Sequence, residues 1–556
     1  MHVDQSAEAS ALPLSPWRIP IFRMVWIASA VSNFGTMIQS VGASWMMISL
    51  SGSAVHVALV QSSTTLPIML LALVAGAIAD NLDRRLIMIA AQCLMLLASA
   101  ALAICAASGL LTPWLLLAFT FLIGCGTAFY GPAWQASVGD MVPRPALPGA
   151  IALNSMGFNI ARSLGPAVGG LIVAAAGAAM AFLANALSYV GLIAVLLRWR
   201  PQGQSRLLPR ETLGMAIGTG VRYVSQSPNL RIILGRGTLF GLAAASNTSM
   251  MPLVARDLLA GGALTFGFLL GAFGVGSVVG ALSSRWMRQN LTTEWIVRGA
   301  TLLLVFSAAA TSASRLLPLT MIALFFSGAG WVTALSTLNA SVQMGSPRWV
   351  VARALSLYQV FTFGAMAIGS WGFGLLAEYR GVSLALLVAS GLYLVGVLVG
   401  FAKPLPEVKD LNFDLLGRWT EPETAVPVEA RSGPIVVTLE YRIPPDRAVA
   451  FLNIMDERRR IRRRDGARQW RLLRDLADES VWMERYQVPT WLDYVRHNQR
   501  RTHADAVVSD RIRDLHQGNW PPIVRRMIER QTGSMPAAPE LPETEILPPL
   551  TDPSHS

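Results

Sequence analysis

The sequence predicts an all-α polytopic membrane domain of two six-helix halves, followed by a small soluble α+β domain. Three observations carry this. Charged residues make up only 14% of the 556 residues, against 53% hydrophobic ones, whereas soluble globular chains carry about 25% charged residues. The apolar composition stops near Phe401, after which charge returns in runs such as Arg458-Arg459-Arg460 and Arg462-Arg463-Arg464. The apolar part itself breaks into about twelve runs of the ~20 residues needed to cross a bilayer.

After an N-terminal segment, 1–18, those spans lie roughly at 21–49, 55–79, 86–108, 113–138, 147–175 and 178–198 in the first half, 19–198. They continue roughly at 231–254, 263–285, 294–313, 317–343, 351–377 and 382–402 in the second half, 231–402. The loop 199–230 divides the halves. Loop charge sets the orientation. Alternate segments carry Arg18 and Arg23, Arg84 and Arg85, Arg144, the cluster Arg198 to Arg222, Arg285 and Arg288, Arg348 and Arg353, and Lys403, while the opposite loops are nearly bare. The positive-inside rule puts both termini in the cytoplasm. The N-terminus shows no basic segment and short apolar core of the kind that is cleaved.

The net charge of +12 is spread over many short loops, which fits topology rather than nucleic-acid binding. Cys93, Cys105 and Cys125 lie in apolar runs without metal-ligand spacing and read as core residues. No P-loop is present, so ATP does not drive the protein directly. No metal or cofactor is expected.

The halves look related. Ala136-Ser137-Val138, Pro143-Arg144, Gly165 and Gly170-Leu171 recur, all at one offset, as Ala340-Ser341-Val342, Pro347-Arg348, Gly369 and Gly374-Leu375. Parallel six-helix repeats are a transporter construction with the site between the halves.

The turn between spans 2 and 3 reads Gly76-Ala-Ile-Ala-Asp80-Asn-Leu-Asp83-Arg84-Arg85. Span 5 reads Ala161-x-x-x-Gly165-Pro166-x-x-Gly169-Gly170. On these motifs and the repeat the chain resembles the major facilitator superfamily, in its drug-exporter and enterobactin-exporter branch. The first resembles the signature G-x-L-x-D-R-x-G-R-R: Gly76, Asp80, Arg84 and Arg85 match, whereas Asn81 and Asp83 depart. In the second half Gly280 and Arg285 remain without the aspartate. The second resembles the exporter signature G-x-x-x-G-P-x-x-G-G, with Ala161 in place of the first glycine. The resemblance implies a bacterial inner-membrane exporter working by alternating access, with proton antiport expected from the family. It also implies a cytoplasmic gate of Gly76, Asp80, Arg84 and Arg85, for which Asp140 and Arg353 are candidate partners.

Small residues at helical spacing allow close backbone approach. Pro166 removes a helical hydrogen bond and permits a bend. Arg162 precedes this run by one turn and sits about 20 Å along span 5, near mid-membrane. An ionised residue there needs a partner or a water-filled cavity. Arg162 is therefore the leading candidate for a substrate or coupling site, against a structural hydrogen bond to Asn154 or Asn185. No Asp or Glu falls mid-span, since Asp80, Asp83, Asp140, Asp257, Glu294 and Glu378 all lie near span ends. The buried charge is positive, which favours an anionic or neutral polar substrate, such as a siderophore or drug-like metabolite, over organic cations. Asn33, Gln39, Gln61, Asn247, Asn339 and Gln359 are candidate polar wall residues, and Arg236 a candidate second cavity charge.

A linker, 403–433, leads to the soluble domain, 434–531. Pro434–Ile443 has strand character. A helix follows Pro444-Pro-Asp446 to about Arg464. Gln469–Leu473 and Val481–Val488 read as paired strands, Thr490 as the cap of helical sequence to about Leu515, and Pro522 onward as a last strand. This βαββαβ order is ferredoxin-like and resembles small monooxygenase-type α/β domains. His497 and His503 read as surface histidines, and the arginine-rich helix face as solvated or apposed to anionic lipid. The domain is expected to dimerise or regulate rather than catalyse, the alternative being a transporter-enzyme fusion. The Pro-rich tail, 532–556, reads as disordered.

Overall fold

The structure, a computed structural model, describes residues 16–143, 146–200, 213–347, 349–407, 416, 419–518 and 521–529. The predicted tail, 532–556, lies outside the described residues, as do the side chains of Asp80 and several helix neighbours. The chain divides into two compact units, the second beginning at residue 416 and leaving out Thr502–Ala504, which group with the first.

The first unit is helical. Its first half comprises α1 (Pro20–Ser51), α2 (Ala54–Asn81), α3 (Arg84–Ala107), α4 (Pro113–Met141), α5 (Leu147–Ala176) and α6 (Ala178–Arg198). Then come α7 (Leu213–Gln226), α8 (Pro228–Ser249) and the one-turn α9 (Met251–Leu253), with a π-turn at Val254–Leu258. The second half continues with α10 (Ala263–Asn290), α11 (Thr293–Ala313), α12 (Leu317–Met344), α13 (Val351–Arg380) and α14 (Val382–Ala402). Ten of these helices are long and apolar enough to cross a membrane; α5 contributes a shorter apolar stretch, Ile160–Ala176. The loop expected at 199–230 instead carries the helix α7. Gly214, Gly218 and Gly220 mask its amphipathic pattern in the sequence, and Tyr223 docks it edge-on against Trp349 at 5.3 Å.

Local chemistry explains the helix ends. Asp83, a departure from the family signature, is the N-cap of α3 and accepts from Arg85 N at 2.9 Å. Thr112 and Thr292 cap α4 and α11 in the same way. Pro67 lies inside the continuous helix α2, and Gly124 of α4 packs beside it: a Cβ there would lie 3.1 Å from Thr64 O and 3.2 Å from Ser63 O.

The two halves repeat each other in detail. Gly177 and Gly381, one repeat apart, join α5 to α6 and α13 to α14 at φ of 80° and 85°, a region that favours glycine. Arg85 donates to Leu196 O (2.8 Å) and Leu197 O (2.7 Å). Arg298 donates to Gly400 O at 2.8 Å, and residues 196 and 400 are again one repeat apart. Each arginine satisfies the last carbonyls of the sixth helix of its half. Tyr189 and Tyr393, also one repeat apart, each take an amide proton, from Asn185 (3.0 Å) and Asn247 (2.9 Å).

Arg236 is corrected from a candidate cavity charge to a member of a buried ion cluster. It lies 3.2 Å from Glu294, which also takes Arg298 at 2.7 Å and Leu405 N at 2.7 Å. This ties the starts of α8 and α11 to the chain leaving α14. A guanidinium this close to an opposite charge pairs instead of snorkelling.

The second unit holds β1 (Ile435–Arg442), α15 (Ala448–Arg464), β2 (Arg468–Arg474), β3 (Val481–Val488), α16 (Trp491–Gln499), α17 (His503–Leu515) and β4 (Ile523–Ile528). The sheet order is β2-β3-β1-β4, with all pairs antiparallel, the split arrangement expected from the strand order. Alternate residues Ile435, Val437, Leu439 and Tyr441 enter the core with Phe451 and Tyr486.

Two expectations fail in this unit. His497 is 1% exposed, not a surface residue. Arg458 and Arg462 of α15 are buried too, because this i, i+4 pair points at Glu484. That carboxylate accepts from Arg462 (3.0 Å), Tyr441 (2.8 Å) and Trp470 (3.0 Å). Burial pushes its pKa up, but Arg462 and Arg458 outweigh burial and hold it down to about 2. Arg462 also donates to His497 at 2.8 Å. Burial, then the Arg462 charge, keep His497 well below its ordinary value and neutral.

Candidate functional site

In the first unit, α2, α4 and α5 face α12 and α13 across a cavity of about 690 Å³, within the range of small-molecule sites. We call the end bearing the α2–α3 turn the near end and the end bearing Gly52 the far end. The cavity occupies the near half. Thr127, Phe158 and Phe363 form its inner part, and Gly76, Gln343 and Arg353 stand toward the near end. Its polar lining residues are Gln135, Asn339, Gln343, Gln359, Thr127, Ser356 and Arg353. The described lining contains no carboxylate. Ile217 and Gly220 of α7 complete the wall.

Arg162 is one turn farther in than Phe158 on the same face of α5. Its guanidinium carbon lies 3.8 Å from the Trp331 ring centroid and 5.8 Å from that of Phe273. These rings, on α12 and α10, meet edge-on at 6.1 Å, so the arginine of one half is stacked on aromatics of the other. Among the described residues it has no ion-pair partner. The two asparagines considered as partners are otherwise engaged: Asn154 accepts from Trp134 at 3.0 Å, and Asn185 bonds Gln39 and Tyr189.

Beyond Arg162 the halves close. Gly165 packs on α1, where a Cβ would fall 2.6 Å from Met37 Cβ, and Gly169 on Ile38 of the same helix. Gly170 turns to the other half, where a Cβ would lie 2.6 Å from the Cα of Gly267 on α10. Pro166 sits between, and its carbonyl oxygen would be 3.4 Å from a Cβ on Gly267. The Gly-Pro-x-x-Gly-Gly run thus docks α5 on two helices at once.

A second seam mirrors the first. Gly374, one repeat from Gly170, meets α2, where a Cβ would lie 2.7 Å from Ala58 Cβ and 3.1 Å from Val55 Cα. One turn on, Glu378 Oε2 accepts from Ser53 Oγ (3.0 Å), Ala54 N (2.5 Å) and Val55 N (3.3 Å). Arg256 donates to Gly52 O at 2.9 Å.

The remaining candidates are dispersed. Gln359, Gly76 and Arg353 reach the cavity. Asn33 is half-buried on α1 and does not line it. Gln39 accepts from Ser99 (2.7 Å) in a buried cluster within the first half. Asn247 accepts from Ser327 (3.1 Å) in one within the second. Arg84 pairs with Asp140 at 2.8 Å, joining α3 to α4 of the same half, while Arg85 caps α6. The Asp80 side chain lies outside the described residues. Sequence reasoning missed Trp331, Phe273, Gly267 and the Glu378 contact. Only Gly267, one turn from Gly271, carries a local signal, since small residues four apart mark helix contacts.

Comparison with known proteins agrees with this architecture. The family model for transmembrane secretion effectors matches residues 11–533 and so takes in the soluble unit as well. The multidrug efflux pump Tap of Mycolicibacterium fortuitum is 25% identical over 406 residues, covering 70% of this chain and 96% of the relative. The staphyloferrin A transporter of Staphylococcus aureus is 27% identical over 257 residues, covering 45% and 62%. Among solved structures, a bacterial homologue of the human lysosomal transporter Spinster, inward-facing and unoccupied, superposes with a TM-score of 0.57 at 13% identity over 73% of this chain and 99% of that one. The nucleoside transporter NupG gives 0.56 at 12% identity over 69% and 98%; both likenesses concern the fold. Two six-helix repeats enclosing a cavity, with the family match over nearly the whole length, identify the chain as a multi-pass membrane transporter of the transmembrane secretion effector family, in the major facilitator superfamily.

Proposed function

We propose that the protein exports an amphiphilic organic compound, anionic or neutral and polar, by alternating access across a bacterial inner membrane, with both termini cytoplasmic. In this reading the near end faces the cytoplasm, and the structure is the cytoplasm-open arrangement. The observation that carries the substrate class is the cavity's charge. Its described lining offers amides, hydroxyls and Arg353, and Arg162 stands one turn behind Phe158, so an organic cation finds no counter-charge there.

The same geometry supports a coupling role. An anion entering past Phe158 competes with Trp331 for Arg162. Drawing the guanidinium off the ring removes an inter-half contact next to the Gly170–Gly267 seam, where the halves must part. Proton antiport would then supply the driving force. Relatives named as a multidrug efflux pump and a staphyloferrin A transporter support the export of a small organic molecule. The gate of Gly76, Asp80, Arg84 and Arg85, with Asp140 and with Arg353 of the other half, would hold the opposite, near-closed arrangement, and the soluble domain would dimerise or regulate.

A single cysteine tests the site. In a background with Cys93, Cys105 and Cys125 replaced by serine, Gln359→Cys should be shielded from a maleimide by catecholate or carboxylate siderophores and not by cationic dyes. Shielding by dyes alone would reverse the substrate class.

A further inference from the structure

We infer that Glu378 is a clasp that sets the balance between the two facing states. This rests on the alternating-access reading and adds a residue to it. The far end is closed by two repeat-related glycine seams, α5 with α10 and α13 with α2. Among their differences, one concerns charge. Where the second half supplies Glu378 beyond Gly374, the first half has Ala174 beyond Gly170. Only the α13–α2 seam therefore carries a carboxylate.

That carboxylate is spent across the interface. The first amides of a helix have no intrahelical acceptor, and Glu378 supplies one from the other half to Ala54 N and Val55 N, and to the Ser53 hydroxyl. Its negative charge also stands at the positive end of the α2 dipole. Opening the far end requires α13 to leave α2, which strips α2 of this cap. Arg256 of the second half also donates to Gly52 O at this end, but among the described residues Glu378 is the ionised side chain that caps backbone donors of the other half. The far-closed state is thus favoured by an interaction that the far-open state cannot contain.

Charge-assisted hydrogen bonds of this kind contribute enough to change an equilibrium by about tenfold or more. Glu378→Gln keeps the shape and one acceptor while removing the charge. The test is hydrogen–deuterium exchange of the full chain in nanodiscs. In the variant, peptides covering Ser53–Val57 should exchange about tenfold faster. Peptides at the near end, over Ile217–Gln226 and Val351–Ser356, should become slower, because the near side closes as the far side opens. Glu378→Asp, which retains the charge, should fall between the two. Unchanged exchange at Ser53–Val57, or faster exchange there without slowing at the near end, would overturn the inference, the latter reducing Glu378 to a local cap. If the glutamine variant fails to fold, the aspartate variant carries the same reciprocal comparison. Siderophore efflux by wild-type vesicles, measured in parallel, tests the exporter reading separately. Its absence would sink that reading and leave the exchange result standing.

Discussion

Removing the Arg162 guanidinium should uncouple the two halves by a measurable amount. The contact is with the Trp331 ring at 3.8 Å, with Phe273 farther off at 5.8 Å, and both rings are at most 5% exposed. A desolvated cation–π contact contributes about 2 kcal/mol, and about 1.4 kcal/mol is tenfold in an equilibrium. The near ring alone therefore accounts for roughly a thirtyfold effect. The assay is a double-mutant cycle of Arg162→Ala and Trp331→Leu, read by unfolding in mixed micelles of rising dodecyl sulfate content. The two changes should be non-additive by about 2 kcal/mol. Arg162→Lys should recover little of the coupling, because an ammonium lacks the planar face that stacks on indole. Additivity within about 0.5 kcal/mol would refute the stacking argument. Arg162 would then be free to act on substrate alone.

Other consequences follow from the same contacts. Gly170→Leu must push α5 off Gly267 and should abolish efflux while the protein still inserts, as compared by vesicle transport and membrane yield. Glu294→Ala leaves Arg236 and Arg298 facing each other without their shared carboxylate and should lower stability by about 3–5 kcal/mol in the same micelle titration. The soluble unit should be acid-labile. His497 is held neutral below its ordinary value, so its contribution to stability is lost as pH falls below 6.5, where the unfolded chain takes the proton. Glu484 contributes stability above 4.5 that is lost as pH falls from 4.5 toward 2. Calorimetry of the full chain should show this unit's transition moving down as pH falls below 6.5 and further from 4.5 toward 2, and Glu484→Gln should reduce the slope below 4.5.

The helical halves were legible because crossing a bilayer demands long apolar runs, and the repeat was legible because its glycines recur at one spacing. Backbone contacts such as Gly170 with Gly267 and Gly374 with α2 explain why those glycines mark the sequence so plainly. Side-chain partnerships were not legible. Arg162 stood out as a mid-span charge, but its partner is an aromatic pair more than a hundred residues away that no periodicity announces. Gln39 and Asn247 were plausible wall residues, yet amides inside a bundle also satisfy one another, and only the packing distinguishes the two uses. In the soluble unit the arginine run looked uniform. The turn of α15 decides that Arg458 and Arg462 go inward to Glu484 while Arg459, Arg460 and Arg463 stay in water.

The most direct measurement is proton release from acid-loaded everted membrane vesicles on adding anionic siderophores or cationic dyes, in wild type and in Arg162→Ala. An exporter with a cationic coupling site should release protons in response to the anions and lose that response in the variant. A response confined to dyes, and intact in Arg162→Ala, would contradict both the substrate class and the role of Arg162.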